Sequence, residues 1–300
     1  MSDPFPSQSH RPSHIGVAYG LSACVAWSLV PIYYKAITHV PVLEVLAHRI
    51  VWSVLFLVAW MRIRNRWPAT VGTLKDRRTL LTLGVTTLLI ATNWTTFIWS
   101  VAHDHLLDSS LGYFITPLVQ VLLGFVFLRE RLRPAQTASI LLAAVGVAYL
   151  TFRQASAPWI ALVLAGTFGC YSLLRKTTRA DALSGLLVET GLFSPLALAY
   201  LIFLSVNGDG AFGVASRTTD GLLIGTGLAT ALPLLWFTNA VRRLRLATVG
   251  ILGYIAPSAQ FVLAVFVYDE TFTTDHVVAF AAIWTALLIY TVDAARMPGS

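Results

Sequence analysis

Leu111-Gly-Tyr-Phe-Ile-Thr-Pro-Leu-Val-Gln120 returns 140 residues later as Ile251-Leu-Gly-Tyr-Ile-Ala-Pro-Ser-Ala-Gln260, with a one-residue slip ahead of the proline. At this offset Pro117 falls on Pro257, Gln120 on Gln260 and Glu130 on Glu270. Similar offsets set His48 on Glu189 and Trp99 near Thr238. A period near half the chain length predicts two copies of one unit. Chance coincidence of two Pro-Gln pairs in apolar sequence is the competing explanation, and agreement of spacing with helix count weighs against it.

The unit is counted from the apolar runs. The chain is 300 residues long, 56% hydrophobic and only 12% charged, with a mean hydropathy of +0.71. Soluble domains carry roughly 25% charged residues, so this composition excludes a soluble enzyme, a disordered tail or a nucleic-acid module and requires a bilayer. A spanning helix needs about 20 mostly apolar residues. Ten stretches qualify: Ile15–Lys35, Val42–Met61, Leu80–Val101, Ser110–Leu128, Ala135–Phe152, Trp159–Leu174, Leu183–Leu204, Leu222–Val241, Ala247–Tyr268 and His276–Val292. The expected fold is an all-α membrane protein of ten transmembrane helices, arranged as two five-helix repeats. Five is odd, so the second copy enters the membrane inverted, and in such architectures the site lies near the midplane between the halves. The divisions are a polar tail over 1–14, repeats over 15–152 and 153–293, and a tail over 294–300.

Orientation follows from Lys and Arg, which gather on cytoplasmic loops. With the N-terminus inside, the inner connections hold most of the 21 basic residues: Arg11, then Arg62 to Arg78, Arg129 to Arg133, Arg175 to Arg179, Arg242 to Arg245, and Arg296. Outer loops collect Asp104, Asp108, Asp209, Asp220, Asp269, Glu270 and Asp275. Both termini are therefore expected in the cytoplasm, and the net charge of +7 is a topology signal with no nucleic-acid partner behind it. Cys24 and Cys170 lie in apolar runs without metal-ligand spacing, and no metal or cofactor is expected. Met1–Ser13 lacks the basic, apolar and cleavage regions of a signal peptide.

Charges at depth carry the functional reading, because they are costly in hydrocarbon. Arg49 and His48 lie about 11 Å into the second span at ~1.5 Å per residue. Glu189 sits at about 9 Å in the seventh, by the same rise. Lys35 and Glu44 mark the outer rim and are expected to pair there, as a rim or gating ion pair. Two readings of the deep set stay open. In one, Arg49 attracts an anionic group of a substrate, since a guanidinium matches a carboxylate bidentately, while Glu189 or His48 takes a coupling proton or a substrate amine. In the other, Arg49 and Glu189 form a buried pair locking the halves together. Tyr113, Pro117, Gln120 and Gly124 share one helical face, as do Gly253, Pro257, Gln260 and Ala264. These faces either line a cavity or serve as packing seams. Asn93, Thr96 and Ser100 form a polar stripe, and Trp27, Pro31 and Tyr34 an aromatic one. With Trp94 they suit a cavity for a small amphipathic solute, or an interhelical hydrogen-bond seam.

These motifs resemble a known family. Trp-Ser-Leu-Val-Pro-Ile-Tyr-Tyr-Lys (27–35), Glu-Val-Leu-Ala-His-Arg-Ile-Val-Trp-Ser (44–53), Asn-Trp-Thr-Thr-Phe-Ile-Trp-Ser-Val (93–101), Ser-Leu-Gly-Tyr-Phe-Ile-Thr-Pro-Leu (110–118), Glu189 and Pro-Leu-Leu-Trp-Phe-Thr (233–238) are similar to the RarD branch of the EamA-type transporters, in the drug/metabolite transporter superfamily. The likeness runs from about Gly16 to Asp293. It implies a multi-pass permease of the bacterial inner membrane with ten helices in two inverted repeats. The branch is known for a chloramphenicol-sensitivity phenotype, which names no substrate. Thr116 stands where Asn is common before the proline, and Arg129 where Gly often precedes the Glu130-type residue.

The function expected is secondary transport of a small organic metabolite or drug-like solute by alternating access. Its partners are the solute, with a carboxylate or other anionic group, the lipid bilayer and a candidate coupling proton. The alternative is an intramembrane enzyme acting on a lipid-linked or amphipathic substrate. The sequence contains no HExxH, GxSxG or Walker loop, and no catalytic residue is assigned. A channel or membrane scaffold is the third reading, and no repeated charge ring supports it.

Overall fold

A backbone crossing hydrocarbon must satisfy its own N–H and C=O groups, and the helix does so within one segment. The computed structural model describes residues 14–65, 67–128, 133–153, 158–244 and 246–295. Their regular structure is entirely helical: α1 (His14–Lys35), α2 (Val42–Ile63), α3 (Trp67–Lys75), α4 (Arg77–Ala102), α5 (Leu106–Leu128), α6 (Pro134–Arg153), α7 (Trp159–Thr177), α8 (Ala182–Asn207), α9 (Arg217–Arg243), α10 (Leu246–Gly253), α11 (Ile255–Phe266) and α12 (Thr274–Ala295). Among the described residues, seven segments are long and apolar enough to cross a membrane: α1, α2, α4, α5, α8, α9 and the stretch Thr248–Phe266. Large apolar side chains such as Leu29, Leu88, Leu196 and Phe203 stand exposed on them, as contact with lipid requires. Glu130 and the arginines at 11, 66, 129, 131, 245 and 296 lie outside the described residues, as do most of the tails assigned to 1–14 and 294–300.

The seven apolar segments fall short of the expected ten spans among the described residues, and two further features depart from the expected helices. The basic connection after α2 folds into the short helix α3, whose Thr70 hydroxyl bonds the Ser184 hydroxyl on α8 at 3.1 Å. The expected ninth span is broken into α10 and α11 at Tyr254. Pro257 has no N–H to offer the carbonyl one turn earlier, at Gly253, and Gly253 itself has weak helix propensity. Pro117 makes the same deletion in α5, yet α5 runs unbroken, with Tyr113 in the place of Gly253.

Helix ends are capped by side chains. Asp76 accepts the Arg78 N–H and the Thr79 hydroxyl at the start of α4, and these bonds, the hydroxyl first, hold its carboxyl below the usual range. Asp181 accepts the N–H groups of Leu183 and Ser184 at the start of α8. The C-cap of α8 is Gly208, with a φ of 74° that an L side chain seldom adopts.

The helices pack as α5 on α7, α6 on α12, α2 on α8 and α9, α1 on α9, and α4 on α7, while α10 and α11 lie against α5. One contact between the proline segments occurs twice. The Ser110 hydroxyl donates to the Pro257 carbonyl at 2.9 Å, and Gly250 lies so close to Pro117 that a Cβ would stand 3.0 Å from the proline ring. Each residue of one contact lies 140 positions from its counterpart in the other.

Candidate functional site

A cavity of ≈ 80 Å³ opens where α1, α2, α4, α5, α7, α9, α10 and α11 converge. Arg49, on α2, is its single charged lining residue among those described. The side chain is 6% exposed. Its Nη1 donates to the Tyr34 hydroxyl at 2.8 Å, and the guanidinium lies 4.2 Å from the centre of the Trp94 ring. The guanidinium also lies 5.7 Å from the centre of the Tyr34 ring, and a cation is attracted to such faces by the ring quadrupole. Its Nε has no hydrogen-bond partner, and no carboxylate among the described residues pairs with it. A buried guanidinium without a counter-ion is costly, because burial removes hydration that one hydroxyl cannot replace.

The amides around it are largely engaged. Asn93 donates to the Leu164 carbonyl at 3.1 Å and to the Thr167 hydroxyl at 3.0 Å, and accepts from the Tyr113 hydroxyl at 3.2 Å. Gln120 donates to the Ser172 hydroxyl at 2.8 Å. Gln260, its counterpart under the repeat, is 2% exposed and its Oε1 has no donor. Pro117 and Pro257 form part of the wall. Trp27 packs edge-on against Phe168 at 5.7 Å and against Phe237 at 5.3 Å, making the aromatic floor. Thus Arg49, Asn93, Trp94, Tyr113, Gln120, Gln260 and Trp27 share one space. Tyr34 joins them through Arg49, while Pro31 is buried in α1 without lining the cavity.

Three expected associations do not form. Lys35 pairs with Asp104 instead of Glu44, and rests over the Tyr268 ring at 5.0 Å. Glu44 turns under the α8–α9 connection, where its Oε1 accepts the Ala211 N–H at 2.7 Å and the Phe212 N–H at 3.3 Å. Those N–H groups are orphans of irregular backbone, and a buried carboxylate is a stronger partner for them than water would be. His48 stays outside the cavity: successive helix positions diverge by about 100°, so it faces Glu44 while Arg49 faces inward. Its Nδ1 accepts the Trp52 N–H at 3.2 Å, and Phe212 packs on its ring at 4.9 Å.

Glu189 is also outside the cavity, in a small neighbouring void beside Trp94 and Phe193. Its partner is Arg175, at 3.7 Å, in place of Arg49. The Thr86 hydroxyl at 2.5 Å and the Tyr171 hydroxyl at 3.3 Å donate to the same carboxylate. Arg175 is fully buried and donates through Nη2 to the carbonyls of Asp181 and Ala182. Sequence reasoning assigned Arg175 to a basic loop. A signal was available: Arg175 precedes Glu189 by the 14 positions that separate Tyr34 from His48 in the first half. Gly185, one turn before Glu189, leaves the space that the guanidinium fills. The aromatic residues Phe97, Phe168 and Phe237 were missed as well, since apolar lining looks like core in a sequence.

The acidic end of the bundle is closed by polar ties. Glu270 accepts the N–H groups of Leu106 at 2.9 Å and Leu107 at 2.7 Å, capping α5. Burial pushes its carboxyl above the usual range, and the two N–H bonds pull it back. Arg153 and Tyr149 both donate to Asp275 at 3.0 Å. At the basic end, Lys176 donates to the Leu244 carbonyl at 2.9 Å and Arg242 to the Ala180 carbonyl at 2.5 Å.

Residues 14–152 match the EamA-like transporter family. An uncharacterized transporter of Vibrio cholerae is 43% identical over 289 residues, covering 96% of both chains. The RarD protein of Escherichia coli is 41% identical over 279 residues, covering 93% of this chain and 94% of its own. The chain belongs to the RarD branch of the EamA-like transporters. An uncharacterized transporter of Bacillus subtilis is 41% identical over 285 residues, with 94% and 95% covered. A solved crystal structure, 18% identical, superposes with a TM-score of 0.65 over 93% of this chain and 98% of that one, which shows the shared fold. As an EamA-like protein with several apolar spans, the chain is a multi-pass membrane transporter.

Proposed function

We propose that the protein is a secondary transporter of the bacterial inner membrane, moving a small organic solute with a carboxylate or other anionic group by alternating access. The observation that carries this is Arg49: a buried cation with no counter-charge among the described residues, at the wall of a cavity where both proline segments meet. A solute anion completes it. The halves are residues 15–152 and 153–293, each contributing five spans, with both termini cytoplasmic. In this reading α6, α7 and α12 complete the count to ten and α3 lies at the cytoplasmic surface. The doubled contact of Ser110 with Pro257 and Gly250 with Pro117 supports an inverted repeat, as does the reciprocal packing of α5 on α7 and α10 on α1. Such symmetry permits two equivalent states facing opposite sides.

Glu189 is the candidate for proton coupling, with His48 the second. Protonation would remove the charge that holds Arg175 and so loosen α7 from α8. Its void adjoins Trp94, which also forms the bed for Arg49. Substrate binding and protonation would thus share one side chain.

The test is counterflow and pH-jump transport in proteoliposomes. Arg49→Ala and Glu189→Gln are each expected to abolish transport while the protein still inserts. Normal transport by both variants would overturn the assigned site. Indifference of the active protein to an imposed pH gradient would favour a uniporter or exchanger over proton coupling.

A further inference from the structure

The cavity's charge inventory is one-sided. Among the described lining residues it has one fixed cation, Arg49, and neither a carboxylate nor an imidazole. The two deep acids nearest in sequence to its wall are spent elsewhere: Glu189 on Arg175, and Glu44 on the backbone of the α8–α9 connection. Its polar groups are equally uneven. Gln120 donates to the Ser172 hydroxyl, whereas the buried Oε1 of Gln260 accepts from no described residue. Rings of Trp27, Phe97, Tyr113, Phe168 and Phe237 make up much of the remaining wall.

Charge matching in a low-dielectric space is strict, because an unmatched charge keeps its desolvation cost. One anionic group on a ligand neutralises Arg49. A second anion would find no cation. An ammonium would find no carboxylate among the described lining residues, and it would meet the repulsion of the guanidinium. We infer that the ligand of this cavity is an aromatic carboxylate of net charge −1 that lacks an ammonium group and carries a hydroxyl or N–H donor for Gln260. The inference rests on the transport reading for its biological meaning, but it concerns binding and is tested as binding.

Four compounds sharing one skeleton separate the terms. 3-(4-Hydroxyphenyl)propanoate has the acid and the donor. L-Tyrosine adds the ammonium, 3-(4-hydroxyphenyl)propanamide removes the charge, and 3-phenylpropanoate removes the donor. Each is titrated into the purified full-length protein in lipid nanodiscs, by calorimetry and by tryptophan fluorescence, since Trp27 and Trp94 line the site. The hydroxy acid is expected to bind about 10-fold or more tightly than the amide and than L-tyrosine, as a charge-assisted bidentate contact implies. Loss of the hydroxyl should weaken binding by about 5-fold, the order of one neutral hydrogen bond. Arg49→Gln should erase the preference for acid over amide, Arg49→Lys should retain it with weaker affinity, and Gln260→Leu should erase only the preference for the hydroxyl.

Binding of L-tyrosine or the amide as tightly as the acid overturns the inference and leaves the transport reading standing. Failure of all four to bind at millimolar concentration overturns it too. Tight, Arg49-dependent binding of the acid without movement across a proteoliposome membrane sinks the transport reading and leaves the ligand class intact.

Discussion

Arg49 and Arg175 are both buried at depth, in opposite halves of the molecule, and they are treated in opposite ways. Arg175 is locked: a carboxylate, two backbone carbonyls and the notch at Gly185 hold it. Arg49 is held only by a phenol and an indole face, beside open space. Under the proposed repeat the halves share a rung, since Tyr34 and Arg175 lie 14 residues before His48 and Glu189, respectively. The second half closes that rung with an ion pair. The first puts a tyrosine there and aims the next residue of α2, Arg49, at the cavity. Divergence at one repeated position separates a group that secures packing from one that waits for a ligand.

The comparison can be broken most decisively at Arg175. Arg175→Ala leaves Glu189 charged with two hydroxyl donors and no counter-ion, and should cost about 3–5 kcal/mol of stability, read as the thermal unfolding midpoint in detergent. The double variant Arg175→Met, Glu189→Leu should recover most of it, because a packed apolar pair avoids desolvation altogether. If the single variant melts like the parent, the locked description is wrong. Gly185→Ala sharpens the same point: its Cβ would enter the guanidinium, and overpacking of this kind costs about 1–3 kcal/mol. Arg49→Ala should behave differently, with unfolding shifted by less than about 1 kcal/mol because no buried charge is left behind and the Tyr34 hydroxyl alone loses a donor, while binding is lost. A loss of stability equal to that of Arg175→Ala would make the two arginines structural equals. The smallest effects belong to the seams. Ser110→Ala removes one interhelical hydrogen bond and should cost about 0.6 kcal/mol.

Glu270 offers a pH-dependent reading. Its folded carboxyl is raised by burial, so the folded state holds the proton more tightly than the unfolded chain. The parent should therefore gain stability relative to Glu270→Gln as pH falls through the raised value toward the ordinary glutamate range, and the difference should level off below it. Melting curves of the two proteins across that window check the sign. A parallel pH dependence would place Glu270 in an unperturbed setting.

The all-helical, multi-span architecture was legible because bilayer crossing imposes long apolar runs, and Pro117 and Pro257 are what suggest the internal repeat. The cavity wall was legible where polar side chains interrupted those runs, as at Arg49, Asn93, Gln120 and Gln260. Ion-pair partners were not. Lys35 reaches Asp104 and Glu44 reaches Ala211 through connections whose course no local pattern specifies. Arg175 was misjudged because it falls where an apolar run ends, a position that looks like solvent; α7 continues to Thr177 and carries it into the core. Helix α3 escaped notice because nine residues with modest apolarity resemble a basic loop. His48 and Glu189 were grouped with the cavity by depth alone, whereas the direction of a helical side chain decides its neighbours.

The two proline segments also differ mechanically. α5 passes Pro117 as a continuous rod, while the ladder of α10 and α11 is already interrupted at Tyr254. The Ser258 N–H still bonds the Tyr254 carbonyl at 3.2 Å, so the two parts stay tied where their regular helix is interrupted. One wall of the cavity is thus a continuous helix and the facing wall a segmented one, and the side of Gln260 is expected to yield more readily to a push than the side of Gln120.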